Sequence, residues 1–398
     1  MIETQPSTEP IAFGPWPTFD PDEIEAASTV LRSGKVNYWT GNEGRLFEEE
    51  FASAIGVKRA IALTNGTVAL EAAFEALGIG KGDEVILSPR TFLASASAIV
   101  RCGAIPVFAD VDRRSGNLDV AATEAAITPR TRAILAIHLA GWPCDLPGLS
   151  ALAQSCGIAL VEDCAQAHGA AFDGRSVGSW GRVSAWSFCQ DKIMTTAGEG
   201  GMVTTDDEAL WSTMWSLKDH GKSYDAVYNR EHQPGFRWLH ESFGTNWRLT
   251  EVQSAIGRIQ LRKLSEWHRL RTQAAERLLE SFEGLPALRC ERPAAWERHA
   301  YYKFYAYLRP EALKSGWSRD RVMGETVRQD VPCFSGSCSE IYLEKAFEGT
   351  GIVPPNRLAI AQELGETSLM FLVHPTLDDR AIQRTIDVVS RVVRRATR

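Results

Sequence analysis

A chain of 398 residues, 44% hydrophobic and 23% charged, has length for two or three domains and the balance of a globular protein, which excludes a disordered or fibrous chain. Its formal net charge of -7 argues against nucleic acid or an anionic membrane as a general partner. Eight cysteines without CxxC spacing signal neither a disulfide framework nor a metal site. With no secretory signal in Met1 to Pro17 and no membrane-length apolar run, the chain reads as cytoplasmic.

The segment to Trp16 reads as an irregular arm. Asp20 caps a helix whose first residue is Pro21, with Ile24, Ala27, Val30 and Leu31 on one face. A turn-rich stretch from Ser33 to Gly41 either caps the core or lines a pocket, and a helix follows from about Leu46 to Ile55. From Arg59 to Thr205 short apolar runs alternate with helical patterns, the signature of a mostly parallel sheet covered on both faces. Seven strands are predicted: Ala60 to Leu63, Glu84 to Leu87, Ile105 to Ala109, Arg132 to His138, Ala159 to Asp163, Val183 to Phe188 and Met202 to Thr205. The fold class is therefore α/β, and ligands of such open sheets gather beyond the carboxyl ends of the strands.

After a helix from about Asp206 to Lys218, a long irregular passage runs from Lys222 to Trp247, and loops of that length are usually functional or interfacial. Thr250 with Gln253 forms a capping box for a helix carrying Val252, Ile256 and Ile259. Composition shifts at Leu264 to Glu291, a charged helical connector, so the expected division is a large domain over 1–263 and a small α+β domain over 264–398. The small domain is predicted to hold a strand at Tyr301 to Leu308, a helix near Arg319 to Arg328, a loop at Pro332 to Glu340 and a closing helix through Ile382, Ile386, Val389 and Val393.

The chemistry centres on Lys192, which follows the strand ending at Phe188 and precedes the small-residue run Thr195-Thr196-Ala197-Gly198-Glu199-Gly200-Gly201. A desolvated lysine there becomes a nucleophile and base suited to imine chemistry with pyridoxal 5'-phosphate (PLP), whereas a lysine taken alone is ordinarily a solvated loop residue. A PLP scaffold also needs an acid at the pyridine nitrogen, a phosphate cradle and a flat apolar face. Asp163, at the end of an apolar strand, suits a cationic ring nitrogen or caps the next helix. Thr64-Asn65-Gly66-Thr67 opens a helix and offers an anion site, with Ser187 adding a hydroxyl. Phe92 either stacks on the ring or belongs to the core. No GxGxxG, P-loop or HExxH is present, which disfavours dehydrogenase, NTPase and metalloprotease readings.

With EDCAQAHGA, SFCQDKIMTTAGEGGM and GTNWRL in this order, the chain resembles the DegT/DnrJ/EryC1/StrS family of sugar aminotransferases from Thr40-Gly41 through His374-Pro375. The resemblance implies a fold-type I (aspartate aminotransferase-like) architecture with a seven-stranded, mostly parallel sheet. It implies Lys192 as the cofactor lysine and proton shuttle, Asp163 as pyridinium partner and Gln166 as hydrogen bond to the ring hydroxyl. Gly66, Thr67 and Ser187 would hold the phosphate and Phe92 would stack. Asn246 would reach the phosphate of the neighbouring subunit's cofactor, making a homodimer with shared sites. Many relatives carry His-Pro-Thr where Cys189-Gln190-Asp191 stands here, so the local substrate contacts are open.

The implied reaction is transfer of an amino group from L-glutamate to a keto group of a nucleotide-linked sugar, a 4-keto-6-deoxy hexose first, for surface polysaccharide or antibiotic sugar synthesis. A cyclitol or aminohydroxybenzoate precursor is an alternative substrate, and a non-catalytic PLP-binding regulator an alternative function. Tyr301, Tyr302, His374 and the loop Phe334-Ser335-Gly336-Ser337 are candidate substrate contacts or structural residues, and Arg248 meets a carboxylate, a phosphate or a neighbouring Glu.

Overall fold

The computed structural model describes residues 13–231 and 237–398. Residues 1–12 of the expected arm and 232–236 of the expected irregular passage lie outside the described residues.

Seven strands form the central sheet: β1 (Arg59–Leu63), β2 (Glu84–Leu87), β3 (Ile105–Phe108), β4 (Thr131–Ile137), β5 (Ala159–Asp163), β6 (Val183–Ser187) and β7 (Gly201–Thr205), in the order β1-β7-β6-β5-β4-β2-β3. Pairings among β2, β3, β4, β5 and β6 are parallel, and β7 runs antiparallel to β6 and β1. All seven expected strands are present, with ends differing by one residue. Their legibility has a physical cause: β2, β5, β6 and β7 are buried along their whole length, so every position is selected for burial and the run stands out. One face carries a core around Phe47, Phe51, Trp186 and Phe188, the other a core around Phe74, Ile99, Met214 and Trp215.

The expected capping box at Thr250 and Gln253 opens a helix, but that helix does not stop at the connector. It runs without break from Glu251 to Glu283, 33 residues. Between Arg258 and Glu283 the sequence holds neither Gly nor Pro, so nothing in the backbone ends it. The compositional shift near Leu264 reflects a change of surroundings. Residues 254–257 are buried in the large core, whereas Arg271, Ala275, Leu278, Leu279 and Phe282 bury a single stripe against a third core that includes Phe304, Phe371, Val389 and Val392. The expected boundary at 263/264 falls within this helix.

In the C-terminal part, Leu288–Arg289, Phe304–Leu308 and Ser368–Phe371 form a three-stranded antiparallel sheet, the closing helix spans Asp379–Ala396, and the two-residue strand Leu288–Arg289 is too short to show in the sequence. The predicted strand at Tyr301 starts only at Phe304. Tyr301 lies in the left-handed region at φ 47°, incompatible with a strand. Its amide donates to His299 Nδ1, and Arg271 Nη1 contacts the carbonyls of Tyr301 and Tyr302 at 3.3 and 3.4 Å. Among its described residues, the passage after Lys222 contains one helix, Tyr224–Tyr228, capped by Ser223 and packed ring to ring on Trp211 and Trp215. Among the described residues no helix is long and apolar enough to cross a membrane.

Candidate active site

Parallel register puts the carboxyl ends of β4, β5 and β6 on one sheet edge. His138, Asp163 and Ser187 follow or end those strands. The helix Gly66–Ala76 begins beside them, the segment after β2 brings Thr91 to Ser95, and Tyr302 and Lys303 approach from the C-terminal part. Together they line a cavity of about 1490 Å³.

Lys192 enters this cavity from the hairpin between β6 and β7. Phe188 and Gly200 close the hairpin through a 2.7 Å amide-to-carbonyl bond, while Phe188, Ile193 and Met194 anchor it in the core. The Lys192 amide donates to Cys189 O at 3.0 Å, and its carbonyl accepts from Trp16 Nε1 at 2.8 Å. With its backbone pinned on both sides, the side chain, 16% exposed, places Nζ 3.7 Å from Asp191 Oδ1 and 5.3 Å from the centre of the Tyr302 ring. The Tyr302 hydroxyl donates to Asp191 Oδ2. Burial pushes the Asp191 carboxyl up, but Lys192 and Tyr302 more than offset it and hold the group below its ordinary value. Burial and then the Asp191 charge raise the Tyr302 phenol.

Asp163 is 7% exposed. Its Oδ2 accepts from Ser95 Oγ at 2.8 Å and its Oδ1 from the Ala165 amide at 3.1 Å. Among the described residues it forms no ion pair. A nearly buried carboxylate served by two neutral donors is costly unless a cation arrives from the cavity side, and a protonated ring nitrogen is such a cation. At the other end, a Cβ on Gly66 would meet Ser187 Cβ at 2.7 Å, so only glycine lets the helix start lie against Ser187. Asn65 Oδ1 takes the Val68 amide, and the first-turn amides of Gly66 and Thr67 have no intrahelical acceptor by construction. An anion is favoured there. These features fit PLP.

The structure gathers Lys192, Asp163, Gly66, Thr67, Phe92, Gln166, Ser187 and Tyr302 on the one cavity. Phe92 is 72% exposed and so is no core residue. Gln166 Oε1 accepts the Ala140 amide at 2.7 Å. Phe334, Gly336 and Ser337 of the expected loop also line the cavity. Asn246 does not. It is exposed, paired through its backbone with Asp219, while its neighbours Thr245 and Trp247 reach the lining. Tyr301 faces a separate small cavity and stacks on His299, and His374 lies beside Trp16 and lines a third cavity. Arg248 meets Asp219.

Several participants escaped the sequence reading. Glu162, beside Asp163 in EDCAQ, is fully buried. Its carboxylate accepts from the amides of Gly178, Trp180 and Gly181, from Ser184 Oγ and from His138 Nε2. His138 Nδ1 accepts the Cys144 amide, which places the ring proton on Nε2. Replacing Glu162 with Ala strands these donors, and the expected loss is about 3 kcal/mol or more, read as a lower urea midpoint. An unchanged midpoint would remove Glu162 from the framework. Arg271, buried and without a carboxylate partner among the described residues, lies 4.9 Å from the Trp16 ring, and burial lowers it to about 9. Lys303 lines the cavity, and no local pattern marks it.

Residues 17–390 match the DegT/DnrJ/EryC1/StrS aminotransferase family. The chain is 36% identical over 359 residues to the UDP-N-acetyl-3-dehydro-alpha-D-glucosamine 3-aminotransferase of Acidithiobacillus ferrooxidans, covering 90% of each protein. It is 36% identical to the GDP-perosamine synthase of Caulobacter vibrioides, covering 89% of this chain and 92% of that protein. A solved aminotransferase from Psychrobacter cryohalolentis superimposes with a TM-score of 0.95 at 54% identity, covering 97% of this chain and all of the other.

Proposed function

Because the chain belongs to the DegT/DnrJ/EryC1/StrS aminotransferase family, and is thus a PLP-dependent aminotransferase of fold type I, we propose that it moves an amino group from L-glutamate to the keto group of a nucleotide-linked sugar. One observation carries the site assignment: the nearly buried, cation-free carboxylate of Asp163 opens on the same cavity as the pinned amine of Lys192. A 4-keto-6-deoxy hexose nucleotide is the first acceptor to test. A 3-keto N-acetylhexosamine nucleotide is the second, because a 36% identical relative is named for that substrate.

In this proposal Lys192 Nζ would hold the cofactor and, as an amine, would move the proton at the donor's Cα. Bound PLP supplies an aldehyde to carry the amine and a ring to accept electrons. Asp163 keeps positive charge at the ring nitrogen, with Ser95 Oγ and the Ala165 amide fixing the carboxylate's direction. Gln166, its oxygen engaged by Ala140, would offer its amide nitrogen to the ring hydroxyl. Gly66, Thr67 and Ser187 would hold the phosphate, and Phe92 would cover the ring. Asn246, exposed at the edge of the cavity-lining segment, extends to the cofactor of a second copy, forming a homodimer with shared sites.

Reduction of the holoenzyme with borohydride and peptide mapping tests the anchor, with the label expected on Lys192 alone. A label on any other residue ends the assignment. L-Glutamate is expected to bleach the yellow cofactor band, and absence of bleaching counts against that donor. Gly66→Ala forces the helix start away from Ser187, and PLP affinity is expected to fall about tenfold, measured by equilibrium dialysis. Full retention of affinity would take the phosphate away from this turn.

A further inference from the structure

We propose that Lys303 is a specificity-determining residue that binds a substrate carboxylate inside the active-site cavity. This rests on the reading of the cavity as the place of amino transfer. Lys303 lines that cavity, its Nζ lies 4.8 Å from the centre of the Tyr302 ring, and it forms no ion pair among the described residues. Lys192 Nζ approaches the same ring at 5.3 Å. The charges acting on Lys303 are Arg271 on the long helix and Lys192 and Asp191 on the lysine hairpin. Asp191, the carboxylate acting on Lys303, is already engaged by Lys192 and the Tyr302 hydroxyl, so among the described residues the Lys303 amine is left for an anion that enters the cavity.

The residue is also held for the task. Arg271 spends its Nη1 on the carbonyls of Tyr301 and Tyr302, the two residues before Lys303, and stacks under Trp16. This fixes the left-handed turn at Tyr301 that aims Tyr302 and Lys303 at the lysine hairpin. Asp191, Tyr302 and Lys303 together form the wall beside Lys192. A carboxylate reaching Lys303 has two sources, the amino-acid donor or an acidic sugar acceptor.

Burial, then Arg271 and Lys192, lower Lys303 to about 8, against the opposing pull of Asp191. Lys303 is charged below that pH and neutral above it, so carboxylate affinity is expected to fall as pH rises through about 8, or higher where PLP engages Lys192 and a bound carboxylate favours the charged form. The adjacent Tyr302 phenol is raised and does not titrate in this window.

The test uses the PLP-loaded wild type, Lys303→Gln and Lys303→Arg. L-Glutamate is titrated by the cofactor spectrum, and UDP-glucuronate and UDP-glucose by calorimetry. Lys303→Gln is expected to weaken at least one carboxylate ligand about tenfold or more, leave UDP-glucose unchanged, and abolish the fall above pH 8. Lys303→Arg is expected to keep affinity and lose the fall, because a guanidinium stays charged. Loss confined to L-glutamate assigns the donor carboxylate, and loss confined to UDP-glucuronate assigns an acidic sugar. The proposal is overturned if Lys303→Gln binds both carboxylate ligands as wild type does, if UDP-glucose weakens equally, or if wild type binds neither carboxylate ligand. Failure of the donor reading is separate: wild type then gives no spectral change with L-glutamate while the UDP-glucuronate comparison still decides the role of Lys303.

Discussion

Lys192→Ala is expected to lower turnover by about 10⁴-fold or more, because one atom, Nζ, is assigned both the covalent anchor and the proton transfer. The rest of the site should survive the change. Main-chain bonds to Cys189 and Trp16 hold the hairpin at Lys192, and Phe188, Ile193 and Met194 anchor its core side, none of which the substitution touches. The measurement is turnover at saturating donor and acceptor, with the urea midpoint recorded on the same sample. An unchanged midpoint with lost turnover is the expected pair of results. A variant keeping a tenth or more of wild-type turnover would mean that another group moves the proton.

Asp163→Ala is expected to cost about 10²- to 10³-fold in turnover, the range for removing a preorganised electrostatic partner. The physical reason is the asymmetry of its surroundings. Ser95 and Ala165 supply neutral donors, so the whole charge of the carboxylate is directed at the cavity. Asp163→Asn preserves size but not charge and should lose nearly as much. Reconstituting either variant with a PLP analogue methylated on the ring nitrogen, permanently cationic, is expected to recover part of the lost rate. Equal rates with both cofactors would show that Asp163 acts on something other than ring charge.

The two substitutions differ in what made their residues visible. Asp163 and Lys192 follow apolar runs of β5 and β6, strands so thoroughly buried that a polar residue at their ends is conspicuous. Gly66 likewise sits at a strand-to-helix turn, where glycine marks close approach before its neighbour Ser187 is known. Glu162 is one residue from Asp163, yet its role stayed hidden because its amide donors come from residues 178, 180 and 181. Tyr301 and Tyr302 are adjacent in the chain and looked alike as candidates. A left-handed turn sends them to different cavities, and that turn is held by His299 Nδ1 and by Arg271, 30 residues away.

Local pattern alone was enough for the α/β class, the seven sheet strands, and the helix caps at Asp20 and Thr250. Burial and periodicity act on neighbours in the chain, so they leave their mark in consecutive residues. Tertiary folding decided the antiparallel placement of β7, the carboxylate frame of Glu162, and the meeting of Asp191, Tyr302 and Lys303 beside Lys192. Those outcomes come from contacts between residues tens to more than a hundred positions apart, for which no short stretch of sequence carries a signal.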